Sequence, residues 1–411
     1  MTLDLAEIAA LDAGDPLRGF RDEFQLRDGL IYVDGNSLGA APRATAARLA
    51  NAVTQEWGEG LITSWLGAEW STAPQRIGDK IATIVGARPG EVVAADSTSV
   101  NVFKALTAAI SLRPERSVIL SERTNFPTDV YMMQGVEAFS GGRLKAVTAD
   151  PEAVVDRLDD DVAVLLLTQV HYKSGLIRDM AEVTRLAHEK GVLTVWDLSH
   201  SAGAIEVDLN GANADFAIGC GYKFLNGGPG APAFLFAAER HQAATPILSG
   251  WFGHASPFTF EEDYRPAQGI TRFLCGTPPV LGLTALECGV DLMRSADMTE
   301  LRAKSIRLGQ LFIDRMEGRC GEFGFMLVSP RDPQLRGSQV SYAHANGYEM
   351  VQALKAREVV GDFRAPDILR FGLTPLYLRY GDVVEAVERL REICLSRSWD
   401  KPEFRARAAI T

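Results

Sequence analysis

Lys223 directly follows the apolar run Asp215–Gly221 (DFAIGCG) and is preceded by Tyr222. Asp197 closes a second such run, Val192–Asp197 (VLTVWD), with His200 three residues on, and Thr168 lies near the end of a third, Asp161–Val170 (DVAVLLLTQV). Thr98 and Ser99 follow Glu91–Asp96 (EVVAAD) and open a helical stretch. Polar residues that end the buried strands of a parallel sheet stand at the edge where such sheets bind ligands. Their types suit one cofactor. Pyridoxal phosphate needs a lysine for covalent attachment, an acid to keep its pyridine nitrogen protonated so that the ring draws electrons, and a site for its phosphate. Lys223, Asp197 and a helix N-terminus bearing the Thr98 and Ser99 hydroxyls supply one each.

Each residue also has a plainer role open to it. A lysine after a strand can be a solvated surface residue. Asp197 can cap a following helix, Thr98 or Ser99 can be an ordinary N-cap, and His200 can be a satisfied, partly buried histidine. It is their joint occurrence, in this order, that points to the cofactor. The competing lysine, Lys173, sits in the polar loop His171-Tyr172-Lys173-Ser174-Gly175 and fits a surface role better. Gly228-Pro229-Gly230-Ala231-Pro232-Ala233 matches the spacing of a nicotinamide-binding fingerprint. That fingerprint must open a helix, whereas here two prolines intervene and the strand-like Ala233–Phe236 follows. The segment reads as a turn-rich loop, either bringing backbone near the cofactor or simply connecting two elements.

The elements that must position these residues alternate along the chain. Ser117–Glu122 is a further strand, and Ser99–Leu112 and Asp179–Lys190 have helical spacing, the latter stopped by Gly191. Strands alternating with helices predict an α/β fold with a mostly parallel sheet sandwiched by helices. After Pro278-Pro279 the texture changes: helices over 280–293, 298–316, 348–357 and 382–395 mix with strands over 325–329, 339–342 and 368–373. This predicts a large domain over residues 46–279 and a smaller α+β domain over 280–411. Residues 1–45 carry no strong pattern and are expected to wrap onto one of the two.

Composition narrows the partners. The 411 residues are 46% hydrophobic and 23% charged, which excludes a disordered chain. A net charge of −11 argues against wrapping nucleic acid or lying on anionic lipid. Cys220, Cys275, Cys288, Cys320 and Cys394 are scattered with no C-x-x-C pair, so neither a disulfide framework nor a metal site is expected. No apolar run reaches a membrane span, and the acidic first residues are unlike a signal peptide. The expectation is a cytoplasmic protein acting on a small molecule.

The lysine segment Gly221-Tyr222-Lys223-Phe224-Leu225-Asn226-Gly227-Gly228-Pro229-Gly230 resembles that of the kynureninase family, within the fold type I (aspartate-aminotransferase-like) pyridoxal phosphate superfamily. Asp34-Gly35-Asn36-Ser37-Leu38-Gly39, Phe126-Pro127-Thr128-Asp129, Trp196-Asp197-Leu198-Ser199-His200, Trp251-Phe252-Gly253-His254 and Gly276-Thr277-Pro278-Pro279 also match, in order, through most of the chain.

The resemblance implies Lys223 as the attached lysine and proton carrier, with Tyr222 a candidate proton donor or acceptor. Asp197 would pair with the pyridine nitrogen, with Asp129 and His200 close by, and Phe126 would stack on the ring. Thr98, Ser99 and Tyr222 would hold the phosphate, and Thr168 would touch the cofactor. Trp251 and Thr277 would reach the neighbouring subunit's site in a homodimer. Thr277 is also placed to be an N-cap with Pro278 as the first helical residue.

Arg370 would grip the substrate's α-carboxylate, its alternative being a surface salt bridge. Asn36 and Ser37 would contact the substrate, and Trp65, with Trp70 as a rival, would lie against its ring. The implied reaction is hydrolysis of L-kynurenine to anthranilate and L-alanine, a step of tryptophan catabolism and of routes to NAD, with the 3-hydroxy analogue a poorer substrate. Rivals are a cysteine desulfurase or aminotransferase on the same fold, or a non-catalytic sensor.

Overall fold

Seven strands form the main sheet: β1 (Val92–Ala94), β2 (Val118–Glu122), β3 (Lys145–Ala149), β4 (Val162–Thr168), β5 (Leu193–Asp197), β6 (Phe216–Gly219) and β7 (Phe234–Ala237). The computed structural model describes residues 3–244 and 246–407. The strand order is β1-β7-β6-β5-β4-β2-β3. All neighbours from β6 to β3 are parallel, and β7 alone runs against both of its neighbours. Every residue of β4, β5 and β6 is buried, as continuous β-branched and leucine runs covered on both faces should be. Register places Thr168 opposite Asp197, and Asp197 opposite Ile218, at one edge of the sheet.

Helices cover this sheet. Thr98–Ser111 buries Val102, Ala105, Leu106 and Ala109 in the same core as Val164, Leu166, Val195, Phe216 and Ile218. Met180–Glu189 is capped by Asp179, whose carboxylate accepts the Glu182 N–H at 3.0 Å, and ends before Gly191, whose φ of 68° suits glycine. Helix Ala73–Ala82 approaches β1 closely: a Cβ on Gly78 would lie 2.2 Å from the Val92 carbonyl oxygen.

A second sheet, all antiparallel, has the order β10-β11-β9-β8, from β8 (Met326–Leu327), β9 (Gln339–Ala343), β10 (Asp362–Arg364) and β11 (Ile368–Gly372). Helices Met298–Cys320, Gly347–Lys355 and Tyr380–Ser396 accompany it. The chain divides into two compact units. The smaller comprises residues 1–43, 171–177 and 295–411, the larger residues 44–170 and 178–294. Residues 280–294 therefore fall in the larger unit, and the N-terminal segment groups with the C-terminal part. That segment holds a helix, Leu5–Ala13, opened by a capping box between Asp4 and Glu7. It also holds a short strand, Ile31–Tyr32, pairing in parallel with Val359–Val360.

Several elements depart from the sequence expectation, among them helices Ala73–Ala82 and Pro127–Phe139 and strand β10, which it did not include. Strand β3 was not expected: it is an edge strand with one neighbour, only partly buried, and its run KAVTA lacks the continuous apolar signature. Thr277 is not an N-cap. Helix Val280–Arg294 begins three residues later, and its first turn bond runs from the Leu283 N–H to the Pro279 carbonyl. A residue before proline is driven out of the helical region, so Thr277 and Pro278 both stay outside the helix.

Gly78→Ala is expected to lower the melting temperature, because the added methyl meets backbone carbonyl rather than a movable side chain. The cost should be about 1–3 kcal/mol, and thermal unfolding followed by circular dichroism measures it.

Candidate active site

The larger unit gathers three ionisable side chains at the sheet edge that its strand ends define. Asp197 ends β5 and is buried, and its Oδ1 accepts the Ser199 N–H at 2.7 Å. This bond shapes a turn, so Asp197 caps no helix. Asp129 is sealed from solvent in the first turn of helix Pro127–Phe139, where the helix dipole favours an acid. Lys223, also buried, places its Nζ 3.0 Å from His200 Nε2 and 5.8 Å from the centre of the Phe126 ring.

Burial pushes the Asp129 carboxyl well up. The Asp197 charge adds to that rise, while the Lys223 ammonium opposes it. Burial raises Asp197 as well, against the Ser199 hydrogen bond and Lys223. Neither Asp129 oxygen has a hydrogen bond of normal geometry, although Asp197 and Thr168 lie near enough to bear on its charge. Both carboxyls are thus pushed towards their protonated forms, and a positive charge brought beside them would favour their ionised forms.

The N-terminus of helix Thr98–Ser111 belongs to the same unit. Ser97, not Thr98 or Ser99, is the N-cap of helix Thr98–Ser111: its Oγ accepts the Val100 N–H at 3.4 Å. Thr98 and Ser99 are thus the first two helical residues, partly exposed, with their hydroxyls not needed for the cap. Tyr222 is half-buried, and burial, with Cys220 and Asp197 nearby, raises its phenol far enough to keep it protonated. The glycine-rich segment is a loop: Gly228 and Gly230 have φ of 88° and 71°, and strand β7 follows. Orphaned carboxylate oxygens, a buried lysine, a half-exposed aromatic ring above it and a hydroxyl-bearing helix N-terminus fit pyridoxal phosphate.

The smaller unit carries a separate cluster. Asp362 on β10 and Arg370 on β11 are directly opposed across an antiparallel pair. The Arg370 side chain is only 2% exposed, so it is no surface ion pair. Its Nε donates to Asp362 Oδ1 at 2.7 Å and its Nη2 to Asp362 Oδ2. Nη1 donates to the Tyr172 carbonyl at 2.6 Å, and Nη2 also to Ser37 Oγ at 3.1 Å. Ser37 in turn donates to Asp362 Oδ2 at 2.6 Å. Arg364 reaches the same Oδ2 at 2.8 Å and is about a third exposed. Burial alone would raise Asp362, but the Arg370 hydrogen bonds and charge hold it below the usual carboxylate range. Asn36 is fully buried, its Nδ2 donating to Gln339 Oε1 at 3.4 Å. Lys173 belongs to this unit and donates to the Ala365 carbonyl at 3.2 Å.

Comparison with known proteins gives the family. Residues 301–390 match the model of the kynureninase C-terminal domain. A kynureninase of Burkholderia pseudomallei (strain K96243) is 50% identical over 411 residues, covering 98% of this chain and 99% of that one. A kynureninase of Pseudomonas fluorescens is 47% identical over 98% of both. The chain belongs to the kynureninase family. Solved structures with the same fold are more distant. A cysteine desulfurase of Thermococcus onnurineus NA1 has a TM-score of 0.77 at 16% identity over 92% of this chain and 98% of that one. An Escherichia coli cysteine desulfurase has 0.75 at 19% identity over the same shares. At that distance the likeness shows a shared fold type I architecture and no more. Cys320 and Cys394, the cysteines weighed against a desulfurase role, are both buried at or within helices.

Within this kynureninase-family chain, the structure brings Asp129, Asp197, His200, Lys223, Phe126 and Tyr222 into one neighbourhood. Trp65 packs between Trp70 and Phe252, with ring centres 5.7 and 5.8 Å away. Trp70 commits its Nε1 to Glu56 Oε2 at 2.9 Å. Trp251 and Thr277 are exposed on this unit.

Sequence reasoning missed Asn125, as it missed Asp362. Asn125 is buried; its Oδ1 accepts from Thr168 Oγ1 and from the Phe126 N–H at 2.8 Å, while its Nδ2 donates to Ser121 Oγ at 3.0 Å. It ties β2, β4 and the start of helix Pro127–Phe139 together. The only signal for it was its position immediately before the Phe126-Pro127 pair. Asn125→Ala strips partners from Thr168 and Phe126, a loss of about 1–3 kcal/mol. Cofactor affinity, titrated by absorbance, is expected to fall by roughly ten- to a hundredfold.

Proposed function

We propose that this chain hydrolyses L-kynurenine to anthranilate and L-alanine, using pyridoxal phosphate to cleave the bond between the β and γ carbons. The observation that carries this reading is the buried Lys223–Asp197–Asp129 cluster in a chain of the kynureninase family. When bound, the cofactor supplies an electron-withdrawing ring that makes the substrate's α-proton acidic and its β–γ bond labile. The remaining roles belong to the chain.

Asp197 would hold the positive charge of the ring nitrogen in place, with Asp129, whose hold on a proton is strengthened by burial, packed beside it. Lys223 anchors the cofactor and carries the α-proton, with His200 at hydrogen-bond distance to orient its amine. Tyr222, kept protonated by burial, acts as an acid rather than a base, donating at the γ-carbonyl oxygen while water adds there. Thr98 and Ser99, at a positive helix end, hold the phosphate with Tyr222, Phe126 stacks on the ring, and Thr168 is fixed against it by Asn125. Arg370, with Ser37 beside it, takes the α-carboxylate. Asn36 is buried and acts by bracing Gln339 rather than by touching substrate.

The exposed Trp251 and Thr277 support a homodimer in which each reaches the other subunit's phosphate. The chain would work in the cytoplasm, in tryptophan breakdown. Among the described residues, no helix is long and apolar enough to cross a membrane.

The test is product analysis. Holoenzyme incubated with L-kynurenine should release anthranilate and alanine in equal amounts. Lys223→Ala should release neither and should no longer give a borohydride-trapped cofactor adduct. Absence of anthranilate from the unaltered protein, or an adduct on another lysine such as Lys173, defeats the reading.

Substrate preference follows from Trp65. Its packing, edge-on against Trp70 and tilted against Phe252, offers the substrate ring an apolar face. A 3-hydroxyl there would lose water without replacement, costing about 1–3 kcal/mol. L-kynurenine is expected to win over 3-hydroxykynurenine by roughly ten- to a hundredfold in kcat/KM. Consumption of both substrates from an equimolar mixture measures it, and equal rates would refute it.

A further inference from the structure

Asp34 lies in the smaller unit, bridged at its backbone to Gly372, the last residue of Arg370's own strand. It is nine-tenths buried, and its Oδ1 has no hydrogen-bond partner. The titratable groups bearing on it are Tyr32, Asp362, Arg364, Arg370 and Tyr377, with the Ser37 side chain alongside. Burial raises both phenols, so Tyr32 and Tyr377 stay uncharged. Asp362 is held ionised by Arg370, and both arginines remain cationic. Without Asp34 the cluster carries one net positive charge. An ionised Asp34 cancels it, and a bound carboxylate then makes the buried cluster negative. A protonated Asp34 lets the carboxylate do the cancelling instead.

We propose that Asp34 is the charge-setting residue of the carboxylate site, taking a proton from solvent as the substrate's α-carboxylate settles on Arg370 and Arg364 and returning it on release. This rests on the reading that Arg370 receives that carboxylate. Burial chiefly, and then the Asp362 charge, push the Asp34 carboxyl up to about 7, against the pull of Ser37 and the two arginines. A proton is therefore exchangeable near neutrality, and a second anion nearby favours its uptake. The sign follows: carboxylate affinity is full below pH 7 and declines as pH rises through it.

The test uses holoenzyme and the desamino analogue of kynurenine, which keeps the ketone and carboxylate but has no amine to attach to the cofactor. Titration calorimetry in two buffers of different ionisation enthalpy counts the protons. At pH 7.5 the unaltered protein should take up roughly half a proton or more per ligand, and Kd should rise about fivefold from pH 7 to pH 8. Asp34→Asn should bind with no uptake and a pH-independent Kd, while Asp34→Glu should keep both effects.

Folding of the Asn variant is checked by melting. A carboxyl whose native pKa is raised loses stability as pH climbs from its unfolded value near 4 to its native value of about 7, so Asp34→Asn should melt above the unaltered protein at pH 8, by a margin that narrows as pH falls towards 4. Asp34→Ser replaces it if it does not fold, and the proton count of the unaltered protein needs no variant. Binding without proton uptake, or uptake that survives in Asp34→Asn, overturns the proposal. The carboxamide counterpart of the analogue separates the two ideas. If it binds as tightly as the acid, the carboxylate role of Arg370 has failed; if it binds weakly while the acid takes up no proton, only the role of Asp34 has failed.

Discussion

Keeping two carboxyls out of water beside a single ammonium is the constraint on which the larger unit turns. Removing a charge from water is expensive unless partners replace the lost solvent. Asp129 and Asp197 receive only part of that replacement from protein, and their raised affinity for protons records the shortfall. Such an arrangement persists only on a frame that cannot relax. Strands β4 and β5 give that frame through their fixed register, and Asn125 locks it to the helix that carries Asp129. The fully buried strands are thus the mounting for a charge that the folded chain alone leaves unbalanced.

The smaller unit answers the same problem differently. There the strongest buried pair, Asp362 with Arg370, is complete within the protein and made by a cross-strand pairing in one hairpin. Arginine's planar fork allows it to hold Asp362, Ser37 and the Tyr172 carbonyl together in one geometry.

Much of this was legible in the sequence, unevenly. Val162–Thr168 and Leu193–Asp197 are unbroken apolar runs, and the topology of a parallel sheet directs attention to the residues at their ends. Lys223 and Asp197 could be found that way. Asn125 could not, because its importance lies in three hydrogen bonds to residues on separate elements, and no period or motif marks it. Asp362 was invisible for a related cause: eight residues separate it from Arg370, and only the turn between β10 and β11 makes them face each other. Thr277 was misjudged because its spacing to the prolines suits a cap, while the backbone restriction imposed by consecutive prolines moves the helix start beyond it. The helix over 127–139 hid behind a motif-like segment whose apolar residues do not repeat cleanly.

The pairing of Ile31–Tyr32 with Val359–Val360 joins stretches more than three hundred residues apart. A ribosome makes the first long before the second, and by residue 294 every segment of the larger unit has been made. The smaller unit cannot close until its last strands appear. Joining so distant a pair carries the entropy of a very long loop, a cost that grows only slowly with length but must be met before the contact repays it. The segments that carry Lys223, Asp197 and Asp129 are therefore complete in covalent terms well before the arginine cluster can form. During synthesis the N-terminal segment, including Asp34 and Ser37, waits as the unpaired half of a unit whose other half does not yet exist.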